Sequence, residues 1–291
     1  DYVTVLKDGQ IVDTKDVKEI NQEKLIKMMV GREFANIFPQ KKEPGIKESV
    51  IFSIKGLSKK GVLKNINLTL GKGEIVTVAG LQGQGQRELV RSIFGIEPVD
   101  AGEIYLDGKK TRIANPEDAI KAGIGFLSDD RKIEGLILCR SIRENIALPT
   151  LKKRKAWGFV KQKEEKRAVI NQIKALDVKT PSIEKEAQFL SGGNQQKVIV
   201  AKWLLGAPRV IIFDEPTIGI DVGTKIEIYH RLRELAKKGT GILIVSSDMI
   251  EIMGISDRVL VMFEGEIVAE IQSEKISEEE IMTAAAGGSS S

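Results

Sequence analysis

Leu190-Ser191-Gly192-Gly193-Asn194-Gln195-Gln196-Lys197 decides how the rest of the chain is read. It opens a segment that runs through Val198–Leu205 and reaches Val210-Ile211-Ile212-Phe213-Asp214-Glu215-Pro216-Thr217. Val198, Ala201, Leu204 and Leu205 recur at helical spacing, so Ser191, Gly192 and Gly193 fall at a helix N-terminus. A hydroxyl and bare backbone N–H groups there make a ready anion site. The short apolar run Val210–Phe213 suits a strand buried on both faces of a parallel sheet. Asp214 and Glu215 stand at its C-terminal end, where an open α/β sheet places its ligand.

The same grammar occurs upstream. Ile75-Val76-Thr77-Val78-Ala79 reads as a buried strand, Gly80-Leu81-Gln82-Gly83-Gln84-Gly85-Gln86-Arg87 as a Gly-rich turn, and Glu88–Phe94 as a helix. Strand, turn and helix are the context of a phosphate loop. The pattern G-x-x-x-x-G-K-[ST] fits at Gly80 and Gly85, but Gln86 replaces the Lys and Arg87 replaces the Mg²⁺-binding hydroxyl. Backbone N–H groups remain to cradle phosphate. A charge-assisted hydrogen bond contributes about 1.5–3 kcal/mol, so losing the Lys weakens phosphate binding by roughly 10- to 150-fold. The helix position of Arg87 is expected to aim its guanidinium elsewhere. Binding at this loop is expected to survive better than turnover.

Between the two motifs, Val50–Ile54 and Leu63–Leu70 alternate as half-exposed antiparallel strands, and Gly102–Leu106 with Asp107-Gly108 reads as a hairpin. Ile124–Leu127 is another core strand, leading to Ser128-Asp129-Asp130. Asp129 is either a Mg²⁺ ligand or a cap before a loop. Ser141–Leu148 and Lys161–Leu176 have helical periodicity with no strand signal before the signature stretch, which places a helical sub-domain at about 129–200. The basic run Lys152–Lys155 beside Trp157 and Phe159 reads as a solvated loop rather than a membrane or nucleic-acid contact. After Thr217, Asp221 ends a turn, Thr224–Lys237 is a helix whose His230 reads as a surface residue, and Gly241–Val245 is a buried strand ending at Ser246-Ser247-Asp248.

Residues 1–31 repeat the C-terminal region. Asp1, Val3, Val5, Gly9, Ile11 and Val12 recur as Asp257, Val259, Val261, Gly265, Ile267 and Val268, and the match runs without a gap to Gly31/Gly287. Both copies read as strand, turn, strand and short helix. A repeat at domain-sized spacing means tandem duplication, not a solenoid of 20–50-residue periods. The first copy has no phosphate loop ahead of it, so Asp1 is not expected to be a natural start. Phe38–Gly45 is polar and Pro-punctuated, as a linker would be.

Bulk composition excludes little. Lys+Arg 45 against Asp+Glu 41 leaves a net charge of +4, which does not call for nucleic acid. The single Cys139 excludes an internal disulfide. No apolar run approaches the roughly 18 residues of a membrane span, so a membrane role is expected to come through a partner.

Together these motifs resemble the ATP-binding cassette family, and residues 50–287 resemble one branch: the second cassette of the tandem ATPase subunit of ribose- or galactose-type sugar importers. The resemblance is carried by Gly80-Leu81, Gly83, Gly85 and Glu88-Leu89; by Asp130-Arg131-Lys132 and Gly135-Leu136; and by Leu190–Lys197. Asp214–Thr217, Gly219, Asp221-Val222-Gly223, Ser246-Ser247, Met249 and Glu251 complete it. Met29-Val30-Gly31-Arg32 is similar to the end of a first cassette, and Gln86 is closer to the nucleoside-importer branch.

The resemblance implies an α/β P-loop NTPase (RecA-like) core, three-layer α/β/α, with an antiparallel β sub-domain and an inserted helical sub-domain. It implies boundaries of 1–38 for the tail of a preceding cassette, 39–49 for a linker, 50–272 for the nucleotide-binding domain and 273–291 for a C-terminal helix and tail. ATP and Mg²⁺ are the implied cofactors. Gly80, Leu81, Gln82, Gly83, Gln84, Gly85, Gln86 and Arg87 would bind nucleotide on one side. Ser191, Gly192, Gly193, Gln195 and Asp221 would bind it across a head-to-tail cassette dimer. Asp214 and Asp129, the latter where cassettes carry Gln, would hold the metal. Glu215 would be the general base, and Ser247 would stand where cassettes place a His. The Leu57–Leu63 turn lacks the aromatic on which many cassettes stack adenine. Implied partners are the first cassette of the same protein, membrane permease subunits and, indirectly, a sugar-binding protein, with no nucleic acid. The implied place is the cytoplasmic face of the cell membrane, peripherally bound. Rival readings are a regulatory non-catalytic half and a soluble tandem cassette acting on ribosomes or DNA.

Overall fold

The computed structural model describes residues 1–7, 10–20, 28, 38–41, 49–156 and 159–288. The N-terminal hairpin pairs β1 (Tyr2–Lys7) with β2 (Gln10–Asp16). A four-stranded antiparallel sheet follows, from β3 (Val50–Lys59) and β4 (Leu63–Gly71), joined by two strands later in the chain. The first core strand is β5 (Ile75–Ala79), and its turn feeds helix α1 (Gln86–Ile93). The hairpin β6 (Ala101–Leu106) and β7 (Lys109–Thr111) turns at Asp107-Gly108, both at positive φ, as a two-residue hairpin turn requires. Helix α2 (Pro116–Ala122) has Pro at its first position and Asn115 as cap, and leads to β8 (Ile124–Leu127).

Residues 129–200 hold a one-turn π-helix at Arg131–Gly135, α3 (Ile142–Ala147), α4 (Gln162–Ala175) and most of α5 (Gly192–Leu204). Ser141 and Glu144 cap α3 reciprocally. Contrary to the all-helical expectation, a two-residue antiparallel pair intervenes, β9 (Lys155–Ala156) with β10 (Phe159–Val160). Such a short ladder leaves no period to read in the sequence.

The core is then completed by β11 (Val210–Asp214), α6 (Val222–Lys237), β12 (Gly241–Val245), α7 (Met249–Ile255), β13 (Arg258–Phe263), β14 (Glu266–Gln272) and α8 (Glu278–Ala285). The main sheet has the order β14-β13-β5-β12-β11-β8. All its pairings are parallel except the edge hairpin β13/β14. Alternation along each buried strand sends side chains to opposite faces. Val210, Ile212, Leu243 and Val245 enter the core shared with the antiparallel sheet. Ile211, Phe213, Ile242 and Ile244 enter the core under α5 and α6. An apolar run with no polar alternation is thus the signature of a strand packed on both faces, and this three-layer arrangement is the expected fold class.

The two hairpins match residue for residue. β1 and β2 pair from Tyr2↔Asp16 to Lys7↔Gln10 with a register shift between Val5 and Leu6. β13 and β14 pair from Arg258↔Gln272 to Phe263↔Glu266 with the shift between Val261 and Met262. The helix expected after the first hairpin, like Met29–Arg32 and most of the proposed linker, lies outside the described residues. Phe38, read as the start of that linker, stacks on Tyr229 with ring centroids 5.2 Å apart. It fills the space left by the missing side chain of Gly254, where a Cβ would lie 2.3 Å from its ring.

Candidate functional site

The C-terminal ends of β5, β11 and β12 open onto a cleft of 310 Å³ lined by Gly80, Gln82, Gly83, Gln86, Arg87, Asp129, Asp214, Glu215, Ile218, Val245, Ser246 and Ser247. Parallel strands bring these residues together because Asp214, Val245 and Val78 stand side by side on neighbouring strands, with β5 ending one residue later at Ala79. Gly85, at φ 103°, caps α1, and Gly80 and Gly83 also take positive φ. The loop therefore turns sharply enough to face backbone N–H groups into the cleft.

Within the loop, Gln86 turns back on its own backbone: its Nε2 donates to the Leu81 carbonyl at 3.0 Å, and the residue is buried. Gln84 faces away from the cleft and ties the loop to the β13–β14 turn. Its Oε1 accepts from Glu264 N at 2.5 Å, and its carbonyl from Gly265 N at 3.1 Å.

Arg87 corrects an expectation. Its guanidinium points into the cleft, with Nη2 2.7 Å from Asp129 Oδ1 and Nε 3.8 Å from Asp214 Oδ2. The long side chain reaches around from the first turn of α1, which the direction of its Cβ alone does not foretell. Ser128 Oγ holds Asp129 at 3.1 Å and Glu134 at 2.7 Å, and Glu134 takes a forked pair from Arg91 at 2.9 and 3.0 Å. Arg91 and Glu134 carry no mark in the sequence, because nothing local signals a contact made across the strand β8.

Asp214 is 2% exposed, and its Oδ2 has no hydrogen-bond partner. Burial first, then the nearby Asp129 carboxylate, push its carboxyl up to about 7, with Arg87 acting in the opposite sense. The sign follows from linkage. Between the usual carboxylate range and about 7 the folded chain keeps a proton that the unfolded chain has lost, so stability falls as pH rises through that window. Asp214→Asn removes this loss. Its stability relative to the parent is expected to grow by about 2–4 kcal/mol from about pH 4 to about pH 8, each tenfold in proton affinity being worth about 1.4 kcal/mol. Urea unfolding at the two pH values tests this; an unchanged difference between parent and variant defeats it.

Glu215 takes φ 50°, an uncommon backbone state outside Gly that stores strain of about 1–3 kcal/mol. Its N–H donates to the Val245 carbonyl at 2.9 Å. Burial raises its carboxyl above the usual range, while hydrogen bonds from the Ser247 hydroxyl and N–H draw it down. Ser247 therefore orients Glu215 in this structure. Behind them, Thr217 Oγ1 donates to the buried Glu251 at 2.6 Å.

The donor set does not suit a magnesium ion alongside Arg87. The Asp214 oxygen, which makes no hydrogen bond, would accept a cation, but the Arg87 guanidinium is already bonded to Asp129 and lies 3.8 Å from Asp214, and no loop hydroxyl accompanies them. Among the described residues no group of three or more His, Cys, Asp or Glu gathers to hold a metal. The two carboxylates expected to hold Mg²⁺, Asp129 and Asp214, thus stand together in the cleft with Arg87 beside them.

The signature stretch lies outside this cleft. Ser191 caps α5, exposed, with its hydroxyl held by Asn194 Nδ2 at 2.9 Å. A Cβ on Gly192 would sit 3.3 Å from Arg131 Nη2, and one on Gly193 would sit 2.6 Å from Thr224 Oγ1. Arg131 in turn donates to the Ile218 and Gly219 carbonyls at 3.2 Å each. Asp221 caps α6, accepting from Thr224 N at 2.9 Å and Thr224 Oγ1 at 2.8 Å. Burial opposes its charge, yet those hydrogen bonds hold its carboxyl below the usual range. Gln195, expected to face a ligand, is buried instead and donates to the Ala187 carbonyl at 3.2 Å. It sits one turn into α5, on the face packed against the sub-domain. His230, expected at the surface, is half-buried.

Residues 63–218 match the family description "ABC transporter". The chain is 46% identical over 288 residues to the ribose import ATP-binding protein RbsA of Bacillus subtilis, covering 99% of this chain and 58% of that protein. It is 44% identical over 288 residues to the putative ribose/galactose/methyl galactoside import ATP-binding protein 1 of Rhizobium etli, covering 99% of this chain and 55% of that one. The chain thus spans little more than half the length of these relatives. Among solved structures it is similar to the ADP conformation of MJ1267, an ATP-binding cassette of an ABC transporter, with TM-score 0.70, 22% identity and coverage of 83% and 100%. It is also similar to the cassette MJ0796 in a dimeric post-hydrolysis state bound to ADP and Pi, with TM-score 0.66, 26% identity and coverage of 77% and 99%.

Proposed function

We propose that this chain, which belongs to the ABC transporter family, is the second cassette of a two-cassette ATPase that drives import of a monosaccharide. One observation carries the proposal: Ser191, Gly192 and Gly193 line no part of the cleft at Gly80–Arg87. A phosphate loop and a signature helix start that face separate spaces on one chain can each be completed only by a partner surface. The matching hairpins β1/β2 and β13/β14 support a duplicated protein in which that partner is a first cassette. The names of the relatives support a sugar, with ribose or galactose as its class; Gln86 favours the nucleoside branch as the second reading.

On this reading the signature donates backbone N–H groups and the Ser191 hydroxyl to nucleotide held by the first cassette. The Gly80–Arg87 loop binds its own nucleotide weakly, and Glu215, aligned by Ser247, supports at most slow hydrolysis there. The sub-domain at 129–200 carries closure to permease subunits. No helix among the described residues is long and apolar enough to cross a membrane. On the same reading the chain sits at the cytoplasmic face, attached through those subunits. Single-turnover hydrolysis tests the assignment. This chain alone is expected to turn over at least about tenfold more slowly than an equimolar mixture with the first cassette. Equal rates with and without that partner refute the division of labour.

A further inference from the structure

We propose that Arg87 is the built-in counter-cation of the Gly80–Arg87 cleft, so that this loop takes a nucleoside polyphosphate without a divalent metal ion. The inference rests on the reading of the loop as a nucleotide site and says what form of nucleotide it accepts. Phosphoryl groups need positive charge beside them, normally from a loop Lys and a metal ion. Here the Lys position is Gln86, neutral and committed to the Leu81 carbonyl. Arg87 is the one cationic side chain among the residues lining the cleft, and it faces the carboxyl groups of Asp129 and Asp214.

Its placement is fixed from both ends. The backbone is held in the first turn of α1, and the guanidinium by Asp129 at 2.7 Å and Asp214 at 3.8 Å. Asp129 is itself braced by Ser128. A guanidinium has five N–H donors in a planar fork. Those that face the two carboxylates leave others for a phosphate oxygen, and the side chain is half-exposed. A dication in the same place would have to displace Arg87 from both carboxylates or share them with it. Like charges at that range repel.

Calorimetric titration of the full 291-residue chain with ATP, in excess Mg²⁺ and in EDTA, tests the proposal. The parent is expected to bind with affinities within about threefold of each other in the two conditions. Arg87→Ser, which supplies the missing hydroxyl and removes the cation, is expected to bind about tenfold or more weakly in EDTA and to recover with Mg²⁺. Electron paramagnetic resonance with Mn²⁺ and ATP gives a second readout. The immobilised-metal signal is expected for Arg87→Ser and not for the parent. A parent that loses about tenfold or more of its affinity in EDTA overturns the proposal while leaving the loop a nucleotide site. No ATP binding by the parent in either condition overturns the loop reading and the proposal with it.

Discussion

Gly192→Asp is expected to cut ATP hydrolysis by the proposed two-cassette protein about a hundredfold or more, whereas Glu215→Gln is expected to change it less than about threefold. Removing one preorganised donor from a site of developing negative charge costs about a hundredfold or more, and a carboxylate placed at such a site opposes the same charge directly. An aspartate at the first residue of α5 adds a carboxylate where phosphate oxygens are proposed to sit. The fold has little reason to object. An acidic residue is favourable at a helix N-terminus, and the new Cβ would lie 3.3 Å from the flexible end of Arg131. Glu215, by contrast, is proposed to serve the weaker of the two sites. Steady-state hydrolysis by both variants beside the parent decides the matter. If Glu215→Gln proves the more damaging, the engine lies at the Gly80–Arg87 loop and the proposed division is reversed.

The second large effect is on stability. Gly265→Ala is expected to cost about 2–5 kcal/mol, against about 1–2 kcal/mol for Gly61→Ala. Both glycines take positive φ, 80° and 76°, so both variants bear the left-handed backbone penalty of about 1–2 kcal/mol. Only Gly265 is crowded: its Cβ would lie 2.1 Å from the Val62 carbonyl oxygen, whereas around Gly61 there is nothing within 4 Å. Relieving that clash moves backbone, and overpacking of this kind costs about 1–3 kcal/mol more. The neighbouring bonds make the shift consequential. The Gly265 carbonyl accepts from Lys64 N at 2.8 Å, and its N–H donates to Gln84 in the phosphate loop. Urea unfolding of the two variants isolates the clash as their difference. Equal losses show that the close approach to Val62 is not felt.

What could be read from the sequence, and what could not, divides by range. Val210–Phe213, Gly241–Val245 and Ile75–Ala79 are legible as core strands because burial on both faces leaves a continuous apolar run, a signal contained in a few consecutive letters. The position of Asp214 and Glu215 at a strand end follows directly, as does the Gly-rich turn at Gly80–Gly85. Arg87 is not legible. Helix register fixes where its Cβ points, but the guanidinium ends several rotatable bonds away and goes where Asp129 and Asp214 draw it. Gln195 fails for the opposite reason: a motif marks a whole stretch as functional, while the helix buries Gln195, Gln196 and Lys197 behind its more exposed start. The positive φ of Glu215 and the unpartnered oxygen of Asp214 have no counterpart in residue type at all, since both arise from how β11 and β12 end against each other.

The seat of Phe38 ties a residue ahead of β3 to the neighbourhood of the cleft. Its ring stacks on Tyr229 in the room that Gly254 leaves. Tyr229 lies against Glu251 and Thr217, and Thr217 follows Glu215 by two residues. Phe38, Tyr229, Thr217 and Glu215 thus form one run of neighbours that ends at the carboxylate end of β11.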